Sequence, residues 1–290
     1  MKKIITGLGE ILVDVFPDYV KPGGAPCNVV YNASQLGNGG VLVSSVGNDE
    51  AGLSLLDFLI MNDIDTSYIQ KSVKPSGKVH VTFQGSEASY EIIKDVAWDD
   101  IRWNEKLSEL AQKTDCVCFS TLSQRSEPSK STILKFLNEV PKHCLNVLDV
   151  NLRPPFYSLE TILQSCHLAD VVKLNEHEFA ELSGLLETDN LISYLIETCH
   201  VRLIIITLGK NGSRCVTATS DTTYPTELID TSNGDSVGVG DAFIACVIHH
   251  LLKNTPEAEM MEKANRFAGM VAAQKGAMIA FDENDLKEVR

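Results

Sequence analysis

One short stretch near the C-terminal end combines residue types that can bind a phosphate and accept a proton. DSVGVGDAF (residues 235–243) places Gly238 and Gly240 directly before Asp241, and apolar residues at helical spacing follow. The glycines therefore lie at the start of a predicted helix, where backbone N–H groups lack intrahelical partners and favour an anion. Without side-chain bulk, they let a phosphate approach these donors closely. Asp241 beside that anion indicates a base for an attacking hydroxyl group, as phosphoryl transfer requires.

The same stretch also has a purely structural explanation. Aspartate is a common residue at the start of a helix, and glycine is common in the turn before one. Short glycine motifs therefore match by chance in many proteins. Whether residues 235–243 form an active site has to be decided from the rest of the chain.

The composition favours a globular protein that does not bind nucleic acid. The chain has 290 residues, 44% of them hydrophobic, which is ample for a buried core. Its formal net charge of −14 repels phosphate backbones, so an anionic small substrate needs a local positive pocket or a metal ion. No apolar run is long enough to cross a membrane, and MKKIITGLGE does not resemble a signal peptide. Eight cysteines without a C-x-x-C pair predict reduced, buried thiols, and together these features predict a cytoplasmic protein.

The second half of the chain alternates between strand-like and helix-like segments. Residues 145–150, 169–174 and 202–207 are continuous apolar runs, as expected for strands buried on both faces. Helical patterns over 127–140 and 189–200 separate them. This alternation predicts an α/β fold with a mainly parallel central sheet flanked by helices on both faces.

The first half contains a different pattern. Residues 78–84 alternate strictly, with Val79, Val81 and Phe83 on one side, and a second short strand over 90–93 follows a turn-like GSEAS. Such alternation is typical of a hairpin with one apolar and one solvated face. Residues 9–16 indicate one more strand.

These patterns predict a single domain over 1–290 that carries a small β-sheet lid. Excursions of the chain around 10–22 and 76–98 form this lid, whose apolar face either covers a substrate or pairs with a second subunit.

Five motifs in a fixed order resemble one enzyme family. DSVGVGDAF is similar to the D-T-x-G-A-G-D-x-F signature of the PfkB, or ribokinase-like, carbohydrate kinases. GGAPCNVVYNASQLG (23–37) resembles the family's N-terminal glycine element. DVNLRP (149–154), KLNEHE (173–178) and TLGKNG (207–212) resemble its D-x-N-x-R, N-x-x-E and T-L-G-x-x-G motifs. Together the motifs cover nearly the whole chain, and GEILVDVFP followed by GGAP, with VAWDDI further on, looks most like bacterial fructokinases.

The resemblance implies a ribokinase-like fold and an ATP-dependent sugar kinase. The implied reaction transfers the γ-phosphate of ATP to a sugar hydroxyl, with fructose as the expected sugar. Alternatives remain open: the substrate is another sugar or a nucleoside, such as ribose or 2-keto-3-deoxygluconate, or the chain is a non-catalytic sugar sensor. Many relatives dimerise through their lids, so the resemblance also implies a homodimer.

The resemblance assigns the sugar to residues from two parts of the chain. Asp14 would accept hydrogen bonds from sugar hydroxyl groups, since a carboxylate accepts two at once and suits a diol. Gly24 and Asn28 belong to the GGAPCN turn, where the backbone comes close to the sugar. Asn151 and Arg153 follow a buried strand at its C-terminal end, where α/β sheets place ligands, and Arg153 would face the transferred phosphoryl group.

The resemblance assigns ATP and the catalytic step to the later motifs. Asp241 is the implied base, and the backbone of Gly238, Val239 and Gly240 is the implied anion hole. The implied nucleotide contacts are Lys173, Asn175, Thr207, Gly209, Gly212, Gly238, Gly240 and Asn265.

Two metal sites are implied as well. Asn175 and Glu178, three residues apart, would hold the Mg²⁺ of ATP through water molecules. Asp235 and Val237, with the KGAM segment at 275–278, would supply oxygens to a monovalent cation such as K⁺. The chain departs from the family at Val239, where alanine is usual, but it keeps Asp241.

Overall fold

Strands and helices alternate along most of the chain. The computed structural model describes residues 2–84, 87–227 and 229–290, and of residues 81–84 and 87–90 it describes the backbone alone. The strands are β1 (Ile4–Leu8), β2 (Leu12–Val15), β3 (Val20–Gly23), β4 (Gly39–Gly47), β5 (Ile69–Ser72), β6 (Gly77–Gln84), β7 (Glu87–Ile92), β8 (Cys116–Ser120), β9 (Leu145–Asp149), β10 (Val171–Asn175), β11 (Leu203–Thr207), β12 (Ser213–Val216) and β13 (Asp221–Tyr224). The helices are α1 (Ala25–Gln35), α2 (Glu50–Met61), α3 (Glu105–Ala111), α4 (Glu127–Glu139), α5 (Leu159–Leu168), α6 (Glu176–Leu185), α7 (Leu191–Ser193), α8 (Val239–Leu252), α9 (Glu257–Ala272) and α10 (Glu283–Lys287).

The larger sheet orders its strands β13-β12-β11-β10-β9-β8-β1-β4-β5 within the described residues. The strands from β5 across to β11 run parallel, and β12 and β13 complete the sheet as antiparallel hairpin strands. Parallel strands all end at the same edge of the sheet, and this edge is where α/β folds place their ligands. The mainly parallel sheet that the sequence predicts is therefore confirmed.

Both faces of this sheet are buried. Along β11, Leu203 and Ile205 pack into one apolar cluster, and Ile204 and Ile206 pack into the other. The cluster with Ile204 and Ile206 also contains residues of α3 to α6, and the cluster with Leu203 and Ile205 also contains residues of α8 and α9. Continuous apolar strands are thus explained by helices on both sides of the sheet.

The smaller sheet has the order β3-β2-β6-β7 within the described residues. Strands β2 and β6 pair in parallel, and β3 and β7 pair antiparallel at the two sides. Val79 is buried with Leu12 and Phe16, as the alternating pattern predicts, while the side chains of Val81 and Phe83 lie outside the described residues. Its action as a lid stays a prediction.

Two further predictions concern local structure. All eight cysteines are buried and free, as predicted. The helix predicted over 189–200 instead begins at Leu191, where Asn190 caps it, and changes to a π-helix over Tyr194–Thr198. In the parts of the chain that the structure describes, no helix combines the length and apolar character needed to span a membrane.

Candidate active site

A cavity of about 980 Å³ opens at the C-terminal ends of β9, β10 and β11. Helix α8 begins at the same place, so strand ends and a helix N-terminus share one wall. The predicted site residues in this wall are Asn151, Arg153, Lys173, Asn175, Glu178, Thr207, Gly209, Gly212, Asp235, Gly238, Val239, Gly240, Asp241 and Asn265. Four of the five motifs, although distant in sequence, therefore contribute side chains or backbone to one cavity.

The start of α8 is built around two glycines. The helix begins at Val239, two residues before the predicted Asp241, and Gly238 precedes it with a left-handed φ of 72°. A Cβ atom at Gly238 would collide with Ala277, and one at Gly240 would lie 3.0 Å from Nζ of Lys173. Only glycine therefore fits this turn without strain. A phosphate at the free amides of the first turn would also lie near the Lys173 ammonium.

Lys173 is held in place by a carboxylate that the sequence argument did not select. Its Nζ atom donates to both carboxylate oxygens of Asp149 at 3.0 Å, and both side chains are buried. Burial alone would lower the pKa of Lys173, but the charges of Asp149, Glu178 and Asp241 raise it, so the ammonium stays charged. The strand register of β9 and β10 reveals the role of Asp149, because it places Asp149 opposite Lys173.

Asp241 meets the N-terminal half of the chain through Asn28. The Nδ2 atom of Asn28, which lies in α1, donates to Oδ2 of Asp241 at 2.7 Å. Burial, with the charge of Asp149, raises the pKa of Asp241 to about 6, against the opposing effects of Asn28, Lys173 and Arg153. Within the described part of the chain, Oδ1 of Asn28 is buried without a hydrogen-bond partner.

The predicted sugar residues Asp14 and Gly24 lie on the α1 side of Asp241. Neither they nor Asn28 lines the 980 Å³ cavity as far as the structure describes it, whereas Asn151 and Arg153, the other two residues predicted for the sugar, lie in its wall with the predicted nucleotide residues. The Asp14 carboxyl packs on Gly23, and burial together with the charge of Asp241 raises its pKa to about 7. Gly24 precedes α1 with a φ of 111°, and a Cβ atom there would collide with the carbonyl oxygen of Glu10.

Glu10 is a second residue that the sequence argument did not select. Its side chain is 1% exposed, its Oε1 atom accepts from the backbone N–H of Ala25 at 3.3 Å, and its Oε2 atom accepts from the Ser123 hydroxyl. Burial in the first place, and the charge of Asp241, raise the pKa of Glu10 to about 7. The strand predicted over 9–16 is confirmed only over Leu12–Val15, because the chain turns at Gly9, which has a φ of 140°, and Glu10 lies before the strand.

Asn175 and Glu178 form a reciprocal cap at the start of α6. Oδ1 of Asn175 accepts from the Glu178 amide at 2.9 Å, and Oε2 of Glu178 accepts from the Asn175 amide at 2.8 Å. Oε1 of Glu178 accepts from Leu152 N at 3.1 Å. Each carboxylate oxygen keeps a second lone pair, and both residues line the cavity. The pair therefore fits a magnesium ion that it contacts through water molecules.

The predicted monovalent cation site consists of two loops, around Asp235 and around Gly276, that are joined by hydrogen bonds. The two carboxylate oxygens of Asp235 accept from Val237 N and Gly276 N, each at 3.0 Å. Lys21, on strand β3 of the smaller sheet, donates to the carbonyl oxygen of Lys275 at 2.5 Å. These donors and acceptors are already engaged with one another. The monovalent cation stays a prediction.

Two predicted contacts are turned toward the protein itself. The Asn265 amide accepts from the Ser213 hydroxyl at 2.9 Å and donates to the Tyr224 carbonyl at 3.2 Å, so it shapes the cavity wall. Arg153 is exposed, and its Nη1 atom donates to the carbonyl of Leu152 at 3.0 Å. Their predicted contacts with adenine and with phosphate remain predictions.

Comparison with known proteins identifies the family. The model of the pfkB family carbohydrate kinases matches residues 16–284. A sugar kinase of Pyrococcus horikoshii is 29% identical over 93% of this chain and 89% of its own, and its structure in complex with ATP superposes with a TM-score of 0.81 over 99% of this chain and 100% of that one. The fructokinase of Salmonella typhimurium is 27% identical, with 94% of each chain covered.

A fructokinase of Xylella fastidiosa, solved with bound ATP, has the same fold. It superposes with a TM-score of 0.88 at 21% identity and covers 100% of this chain and 97% of its own. The ribokinase-like fold predicted from the motifs is therefore confirmed. The chain belongs to the pfkB family of carbohydrate kinases, whose members are phosphotransferases.

Proposed function

We propose that this kinase transfers the γ-phosphate of ATP to a hydroxyl group of an uncharged sugar, with fructose as the first candidate. One observation carries the proposal: the Asp241 carboxyl lies in the cavity wall and accepts a hydrogen bond from Asn28. A nucleotide in the cavity and a sugar beside Asn28 would therefore meet at this carboxyl.

Asp241 is the proposed general base. With a pKa of about 6 it is ionised at neutral pH, yet basic enough to take a proton from a hydroxyl group as that group attacks phosphorus. Asn28 fixes the orientation of the carboxyl through one oxygen, which leaves the other oxygen for the substrate. The unpartnered Oδ1 of Asn28 can accept from a second sugar hydroxyl.

Hydrogen-bond donors that are already fixed in the protein would stabilise the negative charge on the transferred phosphoryl group. The amides that open α8 and the ammonium of Lys173 lie on the same side of the cavity. Because they are already in place, no reorganisation is needed as the phosphoryl group moves. Asn175 and Glu178 would hold Mg²⁺ through water, and the ion would neutralise phosphate charge.

The carboxylates around Asp241 favour an uncharged substrate. Glu10 and Asp14 both lie within the electrostatic field of Asp241, and their raised pKa values reflect burial and that charge. An anionic sugar, such as 2-keto-3-deoxygluconate, would add another negative charge to this group. A neutral polyol adds none and can donate to the Asp14 carboxyl.

A panel of sugars in a coupled ADP-release assay tests the proposal. Fructose, ribose, a nucleoside and 2-keto-3-deoxygluconate are compared by kcat/KM at fixed Mg²⁺ and ATP. We expect the highest value for a neutral sugar. Highest activity with the acid would refute the electrostatic argument, and the absence of ADP release with every sugar would support the sugar-sensor alternative.

A further inference from the structure

Helix α1 begins without a cap of its own. Gly24 occupies the position before the helix, supplies no side chain, and no acidic residue lies in the first turn. Helices with free N-terminal amides usually have a side-chain acceptor at this position. In this protein the acceptor comes from 15 residues earlier, because Oε1 of Glu10 accepts from the Ala25 amide.

The same carboxyl joins three segments of the chain. Glu10 lies in the connection between β1 and β2, Ala25 opens α1, and Ser123 lies in the 3₁₀ helix that follows β8. Glu10 and Ser123 are both fully buried, so water does not replace either contact. A carboxylate at this place also interacts favourably with the α1 dipole.

The first turn of α1 carries the side chain that reaches Asp241. Asn28 N donates to the carbonyl oxygen of Gly24 at 2.9 Å, so Gly24 and Asn28 belong to one hydrogen-bonded turn. A Cβ atom at Gly24 would collide with the Glu10 backbone, so this turn packs directly on Glu10. A shift of the turn would therefore move Asn28 relative to the Asp241 carboxyl.

We propose that Glu10 is a positioning residue that caps α1 from outside the helix and thereby holds Asn28 in place for sugar binding. The inference rests on the proposed kinase function and adds a residue to it. Glu10 acts through the α1 turn, and its contribution is specific to the sugar half of the site.

Two substitutions at Glu10 separate the acceptor from the charge. Glu10→Met keeps a side chain of similar length but removes the acceptor, and Glu10→Gln keeps an acceptor for Ala25 N. We expect Glu10→Met to raise the sugar KM about tenfold, the loss expected when one buried amide donor is left without its acceptor. The KM for ATP should stay unchanged, and Glu10→Gln should restore most of the sugar affinity. Ser123→Ala, a milder change, should raise the sugar KM less and in the same direction.

Asn104→Ala is the matched control. Asn104 caps α3 by accepting from Leu107 N at 3.0 Å and does not line the cavity, so its loss should lower Tm without altering either KM. An unchanged sugar KM in folded Glu10→Met and Ser123→Ala, an equal rise of both KM values, or a Glu10→Gln variant as impaired as Glu10→Met would each overturn the proposal.

Amide hydrogen exchange tests the capping role of Glu10 independently of the kinase activity. We expect the amides of Ala25, Cys27 and Asn28 to exchange faster in Glu10→Met and at the wild-type rate in Glu10→Gln, with no substrate present. If these amides respond as expected but no sugar is phosphorylated, the kinase assignment fails while the capping role stands. If exchange is unchanged in Glu10→Met, the capping role fails whatever the activity.

Discussion

At the scale of single residues, the site depends on acids that water does not reach freely. Burial raises the pKa values of Glu10 and Asp14 to about 7 and that of Asp241 to about 6. A raised pKa makes a carboxylate a better proton acceptor near neutral pH. Of these three, Asp241 alone lines the 980 Å³ cavity in the described part of the chain, which supports it as the proposed base.

Replacing Asp241 by asparagine tests this role. The amide keeps the shape of the side chain but cannot accept the proton, so we expect kcat to fall by about 10²- to 10⁴-fold. Sugar affinity, measured by calorimetry, should stay close to that of the wild type. Near-normal turnover would contradict the assignment of the base.

The pH dependence of kcat/KM gives a second test. Asp241 must be ionised to accept a proton, and its pKa in the folded protein lies above the ordinary value of 3.8, at about 6. Activity should therefore be lost as pH falls through 6, by about tenfold per unit below that value. A profile that is flat down to pH 5 is incompatible with this base.

At the scale of secondary-structure elements, the N-terminus of α8 is the proposed phosphate-binding element. The sequence predicts the glycines and the helix, because the turn and the apolar spacing are local features. The sequence predicts that the helix begins at Asp241, two residues too late. Val239 already belongs to α8 and packs against the apolar cluster beneath it.

Gly238→Ala is expected to damage this element. Alanine at a left-handed φ costs about 1–2 kcal/mol, and its Cβ would also collide with Ala277. We expect a lower Tm and at least a tenfold loss of kcat/KM for ATP, because the amides that bind phosphate shift. Gly184→Ala is the control: a Cβ there meets open space inside α6, so Tm should be unchanged or higher. An active, stable Gly238→Ala variant would refute the tight-turn argument.

The elements also show what the sequence could and could not predict. The resemblance to the family's motifs selects Asn151, Lys173 and Thr207, and the apolar runs beside them predict that they lie at the ends of buried parallel strands. Asp149 and Glu10 were missed because their roles depend on partners far along the chain. Strand register places Asp149 against Lys173, and the fold brings Ser123 to Glu10. A local pattern holds no information on either pairing.

At the scale of the whole molecule, Lys21 links the smaller sheet to the segment after α9. Its ammonium reaches from β3 to the carbonyl of Lys275 in that segment. This hydrogen bond contributes to holding the smaller sheet in the arrangement seen in this structure.

Lys21→Met should weaken that connection. A single hydrogen bond of this kind contributes ~1 kcal/mol, so the sugar KM should rise about fivefold if the smaller sheet closes over the sugar. Lys71→Met, an exposed lysine on β5, serves as the charge-matched control. Equal sugar KM values for both variants would argue against a lid.

The segment that Lys21 holds is also the one that touches the phosphate turn. Lys275 is followed by Gly276 and by Ala277, which packs against Gly238. A movement of the smaller sheet would therefore be transmitted through this short stretch to the amides that are proposed to bind the γ-phosphate. If the sheet closes only over a bound sugar, ATP would be held less firmly in the absence of sugar, and its hydrolysis by water would be reduced until an acceptor binds.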